Sequence, residues 1–152
     1  MRDYSRRSIS WPACAAAVWA LVFAVFHLLW ATGLYVGLNH EQARMAFSKR
    51  GFLVYDLVVA AACLFAVPVA LALAMPRARR LPRRLVGILA WTGTGLLMLR
   101  SGASLIQAAY LIATQRFDIK TMGIWEPRFY LGATLFGVST WRYWRARASG
   151  PA

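Results

Sequence analysis

The sequence predicts an all-α, polytopic membrane protein, with four transmembrane helices in an up-down bundle, and three observations carry that prediction. Hydrophobic residues make up 60% of the 152, well above the roughly 45–50% apolar content of soluble domains. Charged residues make up only 15%, where about 25% is usual. They gather in clusters, and the uncharged stretches between the clusters reach the roughly 20 residues that cross about 30 Å of hydrocarbon. Disordered chains, collagen-like repeats, disulfide miniproteins and large multidomain enzymes are excluded by the same composition.

The elements follow from the charge gaps, and together they make residues 1–152 a single membrane domain. Between Arg7 and Glu41 lie 33 residues without Asp, Glu, Lys or Arg, which predicts a first helix over about 13–38. A secretory signal is set aside because this run exceeds the 7–15 residues of a signal core. The second helix is expected over 52–75 with Asp56 as its one charge, and with Pro68 kinking it by freeing the Leu64 carbonyl. The third is expected over 85–114 with Arg100 as its one charge. The fourth, over 127–144, is shorter, with Arg128 and Arg142 snorkelling toward the two interfaces.

Orientation comes from the basic residues. One side collects Arg2, Arg6 and Arg7, then Arg77, Arg79, Arg80, Arg83 and Arg84, then Arg142, Arg145 and Arg147. The other holds Arg44, Lys49, Arg50, Arg116, Lys120 and Arg128. Eleven against six places the N- and C-termini in the cytoplasm of a multi-pass protein of the cell membrane, in bacterial terms the inner membrane. Trp11, Trp125, Trp141 and Trp144 then fall at interfaces, where amphipathic rings are favoured. A net charge of +13 does not point to nucleic acid, because the cations sit in short juxtamembrane segments rather than on a folded basic face. The expected partners are anionic lipid headgroups, above all at Arg77, Arg79, Arg80, Arg83 and Arg84, where each cation contributes roughly 1 kcal/mol near an acidic leaflet.

Much chemistry is excluded. Cys14 and Cys63 fall at different depths and form no CxxC pair, so quinone-linked thiol exchange is not expected. No P-loop, dinucleotide fingerprint, HExxH or GxSxG occurs, nor any internal repeat. Two histidines, His27 and His40, do not make a multi-histidine metal site, and no cofactor is expected.

Polar residues within the spans are therefore the functional candidates, since they are costly in lipid. Arg100 has fifteen uncharged residues on each side, which places it near the bilayer centre at about 2.5–3.5 kcal/mol on insertion scales. Ser104 and Gln107 share its helix face at i+4 and i+7 and extend a polar, ligand-binding stripe. Asp56 is the expected counter-charge for Arg100. His27 stands at a similar depth in the first helix, and Glu126 at the outer mouth of the fourth, next to Pro127 at a helix-starting position. His27, Asp56 and Glu126 are the acid/base candidates. Gly93, Gly95, Gly132, Ala133 and Gly137 read most simply as close-packing residues.

Two stretches carry a likeness: Phe26-His27-Leu28-Leu29-Trp30-Ala31-Thr32-Gly33, and Trp125-Glu126-Pro127-Arg128-Phe129-Tyr130-Leu131-Gly132. In these the chain resembles a bacterial four-helix membrane family, common in actinobacteria and catalogued only as a domain of unknown function. The resemblance spans nearly the whole chain and implies a fold, not an activity. A looser likeness is to the sterol isomerase and sigma-two receptor superfamily, whose buried acids and histidine shift protons on greasy substrates, with no signature matched residue by residue.

Three classes of function stay open. The first is a membrane-embedded binding protein or acid/base enzyme, of isomerase or cyclase type, for a lipophilic small molecule. A non-catalytic assembly subunit, whose polar residues only organise packing, is the second. The third is a small transporter, for which a homo-oligomer would supply the symmetry that one chain lacks.

Overall fold

A computed structural model describes residues 10–75, 82–115 and 126–148, without the side chains of Arg83, Glu126, Arg147 and Ala148. Among the described residues there are five helices and no strand: α1 (Trp11–Ala31), α2 (His40–Phe47), α3 (Arg50–Ala74), α4 (Arg83–Ala113) and α5 (Glu126–Ala148). Three of them, α1, α3 and Arg84–Ala113 of α4, are long and apolar enough to cross a membrane. The 23-residue α5 carries Arg128, Arg142, Arg145 and Arg147.

Helix α1 begins with Pro12 in its first turn, where the missing N–H costs nothing. It buries Ala13, Ala16, Ala17, Ala20, Phe23, Ala24, His27 and Trp30, while Val18, Leu21, Val22, Val25 and Leu28 face outward. The spacing is helical, with alanines on the buried face of the first turns and Phe23, His27 and Trp30 on that of the last, while the outward face is mainly Val and Leu. Such a pattern is compatible with lipid, where close approach of backbones, favoured by alanine, takes the place of the hydrophobic effect as a packing force.

The first helix is shorter than the uncharged run that predicted it. It stops at Ala31 rather than reaching Leu38, because Gly33 adopts φ +91° and closes a Schellman cap. The Leu34 N–H donates to the Leu29 carbonyl at 3.0 Å, and the Gly33 N–H to the Trp30 carbonyl at 2.9 Å. Trp30 Nε1–H then donates to the Val36 carbonyl at 3.0 Å and folds the connection back over the helix end. Absence of charge says where a chain can sit in lipid, and the αL glycine says where its helix stops. Residues 40–47, between the first two expected spans, form α2, started by Asn39, whose Oδ1 accepts from the Glu41 and Gln42 N–H groups. Ring contacts Tyr35–Phe47 (5.3 Å) and Phe47–Phe52 (4.9 Å) tie α2 to its neighbours.

Helix α3 runs through Pro68, and α4 and α5 begin next to Pro82 and Pro127. Packing is most extensive between α1 and α3, then between α4 and α5. At one end of the molecule Ala13 of α1 meets Val69, Leu73 and Ala74 of α3 and Val86 and Ala90 of α4, with Tyr143 of α5 against them. A second cluster joins Ala16, Ala17 and Ala20 to Ala70 and Phe136. The α4–α5 seam is marked by the buried Thr94–Thr140 contact at 3.5 Å and by Gly87, where a Cβ would lie 2.9 Å from Trp144.

Candidate functional site

At the other end of the α1–α3 seam, the last two turns of α1 face the start of α3, and the contrast with the alanine end is chemical. His27 Nδ1 lies 2.6 Å from Asp56 Oδ1. Both residues are buried, at 6% and 2% exposure, so the contact excludes water. Asp56 is thus paired with His27 and not with Arg100, the partner expected from depth along the helices. The reason is lateral: α3 packs on α1 far more than on α4, so the nearest polar group across its tightest seam is the imidazole.

The pair is incompletely satisfied. His27 Nε2 and Asp56 Oδ2 are buried and have no hydrogen-bond partner among the described residues. A buried polar atom left without a partner costs about 1–3 kcal/mol, so two of them on adjoining side chains are an expensive feature for packing alone. With Asp56 ionised, Nδ1–H donates to Oδ1, and that bond holds the imidazole in the tautomer whose Nε2 carries a free lone pair.

Aromatic rings surround the imidazole. Trp30 stands edge-on at 4.9 Å and Phe23 tilted at 5.3 Å. Phe23 stacks on Trp19 at 4.7 Å and meets Phe129 of α5 edge-on at 5.1 Å. The Arg100 guanidinium lies over that same Phe129 ring, 4.5 Å from its centroid, within cation–π range. An unbroken line of contacts, His27 to Phe23 to Phe129 to Arg100, therefore crosses from the α1–α3 pair to α4. Arg100 is half-buried, and its Nη1 donates to Ser104 Oγ, one turn on; Ser104 Oγ–H in turn donates to the Arg100 carbonyl at 3.0 Å.

The sequence candidates thus fall into groups. His27 and Asp56 are in direct contact, and Arg100 and Ser104 are joined to each other and, through Phe129 and Phe23, to His27. Gln107 shares the α4 face by register, but its side chain is exposed and does not close the site. Glu126 opens α5, and its side chain lies outside the described residues, as do Arg77, Arg79 and Arg80 and the side chain of Arg83; Arg84 is exposed. Cys14 and Cys63 are free and half-buried. Among the described residues no cluster of three His, Cys, Asp or Glu residues could hold a metal ion.

Sequence reasoning missed the rings. The signal was present: Trp19, Phe23 and His27 recur at i+4, and Trp30 follows at i+3, so all four share one face of α1. Phe129 carried no such signal, since only tertiary packing brings it to Phe23. Around it, α5 closes on α1: Trp19 Nε1–H donates to the Arg128 carbonyl at 3.0 Å, and a Cβ at Gly132 would meet the Trp19 ring at 2.4 Å.

A family model described as "Protein of unknown function (DUF3995)" matches residues 20–136, a stretch that includes His27, Asp56 and Arg100. No curated protein and no solved structure matches the chain.

Proposed function

We propose, because this chain belongs to the DUF3995 family of unknown function and its activity must be read from its own site, that it is a membrane-embedded protein that binds a lipophilic molecule and exchanges a proton with it at His27 and Asp56. One observation carries the reading: a histidine–carboxylate pair at 2.6 Å, more than nine-tenths buried, with Nε2 and Oδ2 both unpartnered among the described residues.

The membrane setting is supported by three helices of spanning length and composition. We read α1, α3, α4 and α5 as a four-helix up-down bundle, supported by the meeting of early α1, late α3, early α4 and late α5 at one end. The eleven-to-six division of basic residues supports cytoplasmic termini, with the arginine-rich 77–84 segment against anionic headgroups.

In this reading Nε2 takes a proton from the substrate while Asp56 stabilises the resulting imidazolium, and the same proton is returned at a second position. Nothing is oxidised or reduced, so the reaction is an isomerisation, or a cyclisation in which the abstracted proton is returned to the closed ring. Arg100, held by Ser104, faces oxygen or negative charge on the ligand, and Phe23, Phe129 and Trp30 supply an apolar, water-free wall. Glu126 is the second acid, at the start of α5.

The test compares wild type with His27→Phe/Asp56→Leu. Replacing both members of a buried polar pair at once by apolar side chains of similar size is nearly neutral or stabilising, by up to about 4 kcal/mol. The double variant is expected to melt at or above the wild-type temperature in detergent while losing the lipophile that mass spectrometry detects in organic extracts of wild type. Identical extracts from the two proteins would return the pair to a packing role in an assembly subunit.

A further inference from the structure

A second feature lies between α4 and α5, apart from the histidine pair. An open groove of about 580 Å³ runs along this seam, lined by Met98, Ser101, Gly102, Tyr130, Gly137 and Trp141 among others. Its size falls within the roughly 300–1,000 Å³ of small-molecule sites. The lining is predominantly apolar, and Gly102 and Gly137 make room for it.

One polar atom in that lining departs from the pattern of other hydroxyls on α4 and α5. The hydroxyls of Thr94, Ser104, Thr134 and Ser139 each donate to the carbonyl four residues back in their own helix, at 2.6–3.0 Å. Such back-bonding is the ordinary way a helical hydroxyl is satisfied in an apolar setting. Ser101 is 5% exposed, and its Oγ has no partner among the described residues. Its backbone carbonyl, by contrast, accepts from Tyr130 O–H at 3.2 Å, which holds α5 against this turn of α4.

We infer that the α4–α5 groove is a binding site for a neutral lipophile carrying a single hydroxyl or carbonyl oxygen, which hydrogen-bonds to Ser101 Oγ. The depth of Ser101 selects the chemistry. It stands three residues beyond Met98, the centre of α4, about 4.5 Å along the axis at 1.5 Å per residue. Phospholipid ester and phosphate oxygens stay at headgroup level, so their acyl chains would pass Ser101 with nothing to offer its hydroxyl. A long-chain or polycyclic alcohol or ketone carries one small neutral oxygen group, which is far less costly to draw to that depth than a phosphate, and the hydrogen bond to Ser101 Oγ offsets that cost. The inference rests on the membrane reading above but not on the acid/base role of His27.

The experiment uses the full chain in lipid nanodiscs and a hexadecanol bearing a diazirine and a terminal alkyne, with a phospholipid bearing the same diazirine in its acyl chain as comparison. Irradiation followed by peptide mapping is expected to place the alcohol on groove residues such as Gly102, Leu105 and Val138, and unlabelled hexadecanol should displace it. Gly102→Leu places a side chain in the groove, starting from a Cβ that meets nothing within 4 Å, and should abolish the labelling. Ser101→Ala removes the lone hydroxyl, should leave the melting temperature unchanged or raised, and should weaken competition by hexadecanol about five- to tenfold.

Labelling spread over outward residues such as Leu99 and Ile106, and unchanged in Gly102→Leu, would overturn the inference. Equal labelling of the groove by the phospholipid probe would do the same, as would a dimer that Gly102→Leu dissociates. If the chain is recovered outside the membrane fraction, the membrane reading itself fails, an outcome distinct from all of these.

Discussion

The two halves of the α1–α3 seam are built from the same pair of helices and follow opposite rules. In one half Ala13, Ala16, Ala17 and Ala20 meet Ala70, Leu73 and Ala74, all at most 7% exposed. In the other, His27 and Asp56 meet inside a wall of rings. Small side chains let the backbones approach closely, and a helix of this length is stiff enough to carry that spacing along its axis. The alanine half therefore sets the separation at which an imidazole and a carboxylate come within 2.6 Å. A tightly packed end positions a polar end that is not fully satisfied.

The largest effect should come from leaving one member of the polar half alone. His27→Phe strands a buried carboxylate and is expected to cost about 3–5 kcal/mol, read by chemical unfolding in detergent. A wild-type unfolding midpoint would break the comparison, since the polar half would then contribute nothing to the seam.

A smaller loss is expected from the dry half. Ala20→Leu overpacks a position with no exposure and should cost about 1–3 kcal/mol. It should also lengthen the His27–Asp56 contact two turns away, seen as a shift in the imidazole ¹⁵N resonances. Unchanged resonances would show that the two halves are independent. The smallest effect belongs to the α4–α5 seam: Thr94→Val removes the contact to Thr140 and should cost about 0.6 kcal/mol, the average for interhelical hydrogen bonds in membranes. A loss as large as that of His27→Phe would shift the weight of the fold away from the α1–α3 seam.

Both members of the central pair were legible in the sequence, but their pairing was not. Depth along a helix can be counted from the interface, and counting placed His27 and Arg100 at similar levels near the centre, with Asp56 nearer the outer end and within reach of a snorkelling Arg100. Which of them touch depends on rotation and on which helices are neighbours, and neither is encoded in spacing along one segment. The Arg100–Ser104 bond was legible for the opposite reason: it lies within one helix, where i and i+4 always meet. Helix α2 went unread because charge gaps locate spans and say nothing about short amphipathic helices between them, although Asn39 followed by Glu41 is a start signal.

The sequence by itself determined the helical class, the presence of long apolar helices and the set of polar residues set within them, because all three follow from composition and from the spacing of charges. Only the tertiary structure decided that Asp56 turns to His27, that Phe129 links this pair to Arg100, and that Ser101 is buried in a groove without a partner for its hydroxyl among the described residues. The physical reason is that apolar helices carry no hydrophobic face to orient them. Their rotation is set by the fit of small side chains against large ones, which exists only once the helices are packed.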